Sequence, residues 1–179
     1  SRVFHVYALA PLLICTVRLV AYDATFGELP VHIGSWMGFD FSRWTLLMGV
    51  AGFAWCGNAL VLLTYGGRRT GDATGVWAQV ADAAALLGIG LLCGALWRAA
   101  PDMSSRGWIM LGGAGMCWVW SAATLRRQVG VVSEIGCIGA MLCAIASGWW
   151  NHQGRAVELL GLYLTPRAAL PLGVACLLG

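Results

Sequence analysis

A chain of 179 residues could make one ordinary soluble domain, but 59% of it is hydrophobic and only 11% charged, where a soluble domain carries roughly 45 to 50% and about 25%. That composition excludes a water-soluble enzyme, a disordered tail, a collagen-like fibre and a disulfide-stapled secreted module, and it points to a lipid bilayer. The net charge of +3 comes from 11 basic and 8 acidic residues, too scattered for a stripe that tracks phosphates, so nucleic acid is not an expected partner.

A bilayer core about 30 Å thick needs roughly 20 apolar residues in helical form, and runs of that length recur along the chain. The expected fold is an all-α, multi-pass transmembrane bundle, a single integral membrane domain over residues 1–179 with five full spans and an incomplete sixth. The first span is Val3 to Tyr22, with Arg18 near its far end. No short apolar core followed by a small-residue cleavage site is visible in it, so it reads as a retained span rather than a signal peptide. The second is Trp44 to Tyr65, interrupted only by Asn58. The third, Val76 to Trp97, holds Gln79 and Asp82; the fourth is Trp108 to Leu125; the fifth, Val129 to Trp150, carries Glu134. Ala168 to Gly179 is apolar but stops in mid-run, as expected of a chain that continues or of a re-entrant or interfacial piece.

The charges fall in the connections. Gly66 to Asp72, Pro101 to Arg106 and Arg126-Arg127-Gln128 are short enough to make neighbouring spans antiparallel. Two connections are longer, Asp23 to Arg43 and Asn151 to Arg167; in the second, Val157, Leu160 and Leu164 at helical spacing predict an amphipathic interfacial piece. Paired Arg residues at 68–69 and 126–127, against acids Asp23, Glu28, Asp40, Asp102 and Glu158 on the other side, predict a cytoplasmic N-terminus. All basic side chains are Arg and the chain is rich in Ala and Gly, the bias of a GC-rich bacterial genome, so the expected location is a bacterial inner membrane. Seven of the ten Trp residues fall near span ends, where an amphipathic ring prefers the headgroup level. Trp55, Trp118 and Trp120 do not, and must face a neighbouring helix or lipid.

Helices in lipid associate through close contact between small residues, because lipid tails are as apolar as Leu. The predicted contact stripes are Gly90 with Gly94, Ala81 with Ala85 and Ala84 with Gly88 on the third span; Gly112, Gly113 and Gly115 on the fourth; Gly136 with Ala140 and Gly139 with Cys143 on the fifth. Gly49, Gly52 and Gly57 lighten the second. The seven cysteines lie inside apolar runs without a CxxC pair and read as small buried hydrophobes.

Ionisable groups inside spans are the candidate functional residues, since burying one at mid-bilayer costs about 2.5 to 3.5 kcal/mol. Asp82 and Glu134 lie a turn or two inside their spans, near the paired Arg residues. They read as a structural ion-pair layer, as a carboxylate relay for protons or a cation, or as contacts to lipid headgroups. Arg18 can snorkel to the interface, and Asn58 reads as a hydrogen-bond donor between helices. His5, His32 and His152 do not match in depth across one haem. A copper or zinc site would have to use His32 and His152 with Glu28 or Asp40, and is a weak reading. No GxSxG, P-loop or dinucleotide fingerprint is present. The expected function is a non-catalytic integral subunit that anchors or scaffolds a larger membrane complex, with lipid and other membrane subunits as partners and no cofactor bound by this chain alone. Two alternatives stand: a small proton- or cation-coupled transporter built around Asp82 and Glu134, and a quinone- or pigment-binding anchor using Asn58, Arg18 and the Trp-rich span ends.

Overall fold

The structure is a computed structural model that describes residues 2–23, 32–70, 75–124, 127–147, 157–159, 162–164 and 166–178. It is mostly helical. The elements in chain order are α1 (Arg2–Val17) with a π-helical continuation (Arg18–Asp23), strands β1 (His32–Trp36) and β2 (Phe39–Ser42), and helix α2 (Arg43–Thr70). There follow α3 (Val76–Ala99), α4 (Met103–Thr124), α5 (Arg127–Ala146), strands β3 (Val157–Leu159) and β4 (Leu162–Leu164), and α6 (Pro166–Leu178). Three stretches, Arg43–Thr64, Val76–Ala99 and Val129–Ala146, are long and apolar enough to cross a membrane. They correspond to the second, third and fifth predicted spans. Helix α4, with 22 residues, is long enough but is not among these three.

The chain forms two compact units, Ser1–Ala99 and Ala100–Gly179. In the first, α2 packs along α3 as its main partner. The buried positions of α2 are Thr45, Met48, Gly52, Trp55, Ala59 and Leu62, alternating steps of three and four that keep one seam facing a neighbouring helix. The facing residues of α3 are small: Ala81, Ala84, Ala85 and Gly88 are all buried. Where the helices cross, a Cβ built on Gly88 would lie 2.6 Å from Cys56 Sγ and 2.8 Å from the Gly52 carbonyl oxygen. Backbone meets backbone there, and nothing larger than Gly fits. The predicted Gly90–Gly94 stripe is not this seam. Gly90 has open space around it, Gly94 touches only the end of Met48, and the contact uses Gly88 with Gly52 instead; Gly49 and Gly57 also face open space.

Helix α1 joins the same unit through α2. Pro11 lies inside α1, so one carbonyl a turn earlier lacks its amide partner, and at Arg18 the winding widens to a π-helix. The Leu19 carbonyl in that widened turn accepts a hydrogen bond from Trp44 Nε1 at 3.1 Å, tying α1 to the start of α2.

In the second unit, α4 packs along α5 and α6 lies against both. The core is Leu111, Ala114, Cys137, Ala140, Ala144, Leu170 and Val174. Gly136 admits the Ala114 side chain, Gly139 the end of Met110, Gly107 the Leu170 side chain and Gly173 the Leu111 side chain. Ser133 Oγ donates to the Ala114 carbonyl at 2.8 Å across the α4–α5 seam, the kind of interhelical hydrogen bond expected in lipid. The predicted Gly136–Ala140 stripe is thus a real contact, while Gly112 and Gly115 face open space.

Both units are built inside out relative to a soluble protein. The large apolar residues Val50, Phe53, Leu60, Trp118, Val119, Ile135, Ile138 and Leu142 are exposed, whereas the buried positions are dominated by Ala, Gly and Cys. Water would penalise such a surface heavily, and acyl chains would not.

Two short hairpins correct the all-helical expectation. In β1–β2 the pairing is Trp36 with Phe39, Ser35 with Asp40 and Gly34 with Phe41, and the register shifts between His32 and Gly34. Its two-residue turn, Met37-Gly38, has φ of 51° and 82°, the positive pair required by a type I′ turn, with Gly supplying one position at no steric cost. In β3–β4, Glu158 pairs with Tyr163. The periodicity reading of an amphipathic helix there is overturned, because Val, Leu and Tyr favour a pleated pair. Helix α5 ends at Ala146, earlier than the predicted Trp150, which lies outside the described residues.

Candidate functional site

The strongest candidate is the buried carboxylate on α3. Asp82 is 8% exposed, six residues into a helix that starts at Val76, which is about 9 Å of depth at 1.5 Å per residue. Its neighbours on the helix, Ala81, Ala84 and Ala85, are buried too, so the carboxyl group sits beside the tightest apolar seam of its unit. It is engaged in an interaction there and is not a free charge. A carboxylate at this shallow depth beside small residues can serve as a structural charge or as a proton or cation carrier. Arg68, Arg69, Arg126 and Arg127, the cations expected to pair with the two carboxylates, have side chains outside the described residues.

Glu134 is placed differently. It is exposed on the outer face of α5, on the same stripe as Val131, Ile135, Ile138, Leu142 and Ile145, all of them exposed. Buried Asp82 and surface Glu134 thus belong to different compact units and different environments.

The hydrogen bond at Asn58 runs within its own helix, Nδ2 donating to the Ala54 carbonyl at 2.8 Å, where a bond between helices had been expected. Arg18 is exposed on the π-helical turn and borders an open apolar groove with Leu13, Ile14, Val17 and Ala21, a position compatible with snorkelling.

Two contacts that composition and spacing did not reveal organise the first unit. Trp55, one of the three tryptophans away from span ends, is buried and its Nε1 donates to Thr16 Oγ1 at 2.8 Å. That hydroxyl in turn donates to the Leu12 carbonyl at 2.7 Å, so a mid-span indole N–H finds its partner on α1. At the other end of the seam, the Arg98 guanidinium lies 4.7 Å from the ring centroid of Trp44, a cation–π contact. Trp44 therefore links α1, α2 and α3 at one level. The available signal was that Trp44 and Arg98 both sit at span ends separated by antiparallel helices, but ring and guanidinium placement needs the fold.

His32 is exposed on β1 and Asp40 on β2; His5, His152 and Glu28 have side chains outside the described residues. Among the described residues no group of three His, Cys, Asp or Glu could hold a metal ion. The cysteines are all free thiols; Cys117, Cys137 and Cys143 are buried as small apolar residues, whereas Cys15 and Cys176 are exposed, contrary to the uniform burial expected. Comparison with known proteins finds no matching family model, no matching curated protein and no matching solved structure.

Proposed function

We propose that the chain is a non-catalytic integral membrane subunit that anchors or scaffolds a larger membrane complex. The observation that carries this reading is the division of residue size between inside and outside. Small residues close the α2–α3 and α4–α5 seams within the chain, while continuous faces of large apolar side chains are left outward, one of them bearing Glu134. A carboxylate on such a face gains most from a partner that supplies a donor or a cation.

In the proposed threading the helix from Arg2 to Asp23, together with α2, α3, α4 and α5, makes five spans, and the 13 residues of α6 are too few to cross alone. The N-terminus is cytoplasmic and the membrane is a bacterial inner membrane. Length supports including the first helix and α4, since 22 residues extend about 33 Å at 1.5 Å each. Thiol-accessibility mapping tests it: positions 68 and 106 label from opposite faces, and labelling from one face overturns the threading.

Extraction from native membranes in mild detergent tests the function. The expected result is a stoichiometric complex with other integral subunits; a stable monomer that moves a solute in liposomes would overturn it. The burial of Asp82 favours a second reading, a small proton- or cation-coupled transporter. Under that reading Asp82→Asn abolishes a pH-dependent flux while assembly is unchanged; under the subunit reading Asp82→Asn acts on assembly.

A further inference from the structure

The β1–β2 hairpin separates its side chains by chemistry. Directly paired residues project to the same side of a two-stranded ribbon and successive residues alternate. Trp36, Phe39 and Phe41 therefore share one side, with the Phe39 and Phe41 rings 6.5 Å apart, and the pair Ser35 and Asp40 occupies the other. The apolar end is bare: Trp36 is 68% exposed and Met37, at the turn, 78%. Ile33, where the register shifts, is exposed as well.

The hairpin's height is fixed by its connection to α2. Ser42 is the last residue of β2 and also caps α2: Thr45 N–H donates to Ser42 Oγ at 3.2 Å and Ser42 N–H donates to Thr45 Oγ1 at 2.8 Å, a reciprocal cap of the capping-box kind. No flexible residue separates the ribbon from a helix apolar enough to cross a membrane. Two residues into α2 stands Trp44 beneath the Arg98 guanidinium, a charged group held at the water boundary of its helix. The ribbon is thus rigidly joined at headgroup level, where the exposed indole of Trp36 and thioether of Met37, backed by the half-buried rings of Phe39 and Phe41, find their preferred medium.

We infer that the β1–β2 hairpin is an interfacial anchor whose Trp36 and Phe side lies in the lipid headgroup layer, with Ser35 and Asp40 turned to water. The occupant of the surface that Trp36 and Met37 leave bare is lipid, and the anchor sets the depth and tilt at which α2 enters the membrane. Binding is carried by aromatic and apolar contact, so it does not require anionic lipid.

The test uses the full chain with the fluorescent residue acridonylalanine at position 37 or, separately, at position 40. The protein is reconstituted in phosphatidylcholine vesicles and quenched either by a lipid nitroxide on the upper acyl chain or by iodide on both sides. The nitroxide is expected to quench the probe at 37 several-fold more than the probe at 40, with iodide giving the reverse order. Equal quenching at both positions overturns the proposal by showing that the ribbon has no lipid side, and a probe at 37 reached best by iodide overturns it by placing that side in water. A probe at 37 shielded from both quenchers overturns it by showing a protein cover. Helical circular dichroism confirms folding of each labelled chain, and position 36, on the aromatic side of the ribbon, replaces 37 if the turn does not tolerate the probe.

Discussion

The two helix pairs use the same glycine-rich vocabulary to make different contacts. At the α2–α3 crossing, the atoms beside Gly88 and Gly52 include backbone as well as the Cys56 and Leu92 side chains: the Cys56 amide nitrogen and the two glycine carbonyl oxygens all lie within 2.9 Å of where a Cβ would stand. At the α4–α5 seam, and where α6 meets that pair, the atoms facing the glycines are mostly side-chain ends, such as Met110 Cε, Leu111 Cδ2 and Leu170 Cδ1. A side-chain terminus can rotate away from an added methyl group, whereas a helix backbone can yield only by moving the helix. The first pair is therefore a fixed hinge point and the second an adjustable interdigitation, although both would be described from sequence as small-residue stripes.

The largest effect is expected at the fixed point. Gly88→Ala places a methyl within 2.8 Å of backbone on the facing helix, and overpacking of that kind costs about 1 to 3 kcal/mol. We expect the upper part of that range, read as a lower dodecyl sulfate fraction at the unfolding midpoint in mixed micelles. Gly136→Ala is the sharpest comparison in the other unit, with the Ala114 Cβ at 2.9 Å. The atoms it meets, Ala114 Cβ and Cα and the Met110 carbonyl oxygen, cannot rotate away but stand farther off than those at Gly88, so the expected cost is about 2 kcal/mol, the middle of the overpacking range. Gly139→Ala, opposed only by flexible Met110, should cost less again. If the Gly139 and Gly88 substitutions destabilise equally, the distinction between backbone and side-chain opposition fails.

A smaller effect is expected at the polar tie between α1 and α2. Thr16→Val keeps the shape but removes the acceptor of Trp55 Nε1. Interhelical hydrogen bonds in membrane proteins average about 0.6 kcal/mol and reach about 1.7. The buried, unpaired indole N–H left behind places the expected loss near 1 kcal/mol. Trp55 fluorescence should become less rigidly polarised in the same variant, and Thr16→Ser, which retains the hydroxyl, should restore it. An unchanged midpoint would show that α1 is held by apolar packing alone.

The sequence made the helices legible because long apolar runs bounded by Arg and Trp have few other uses, and α2 and α3 begin within a residue of their predicted starts. The hairpins were not legible. The segment from His32 to Ser42 has mixed polarity, a register shift at Ile33, and a turn that requires a positive φ at Met37, where the residue type gives no hint. The site is legible in part: Asp82 stands out as a charge in an apolar run, but its burial beside Ala81 and Ala85 and the exposure of Glu134 depend on which helical face each neighbour covers. Single-chain periodicity leaves that open when almost every residue is apolar. Asn58 shows the same limit, since its amide bonds to Ala54 a turn away and composition cannot distinguish that from a bond across a seam.

The smallest expected effect separates motif from contact. Gly90 and Gly94 form the one GxxxG of α3, yet Gly90 is exposed with nothing near its missing Cβ. Gly90→Ala should leave the unfolding midpoint of the isolated chain unchanged or slightly raised, because a methyl group in open space meets no obstacle and Ala is the better helix former. Gly90→Leu extends the test. With no neighbour from its own chain to displace, the larger side chain should also leave the isolated chain's midpoint unaltered. A subunit whose exposed Gly90 lies against another protein would then show the substitution only in the stability of the complex. Loss of the isolated chain's own stability on Gly90→Leu would mean that the helices cross at the GxxxG after all, and that Gly88 and Gly52 are not the hinge.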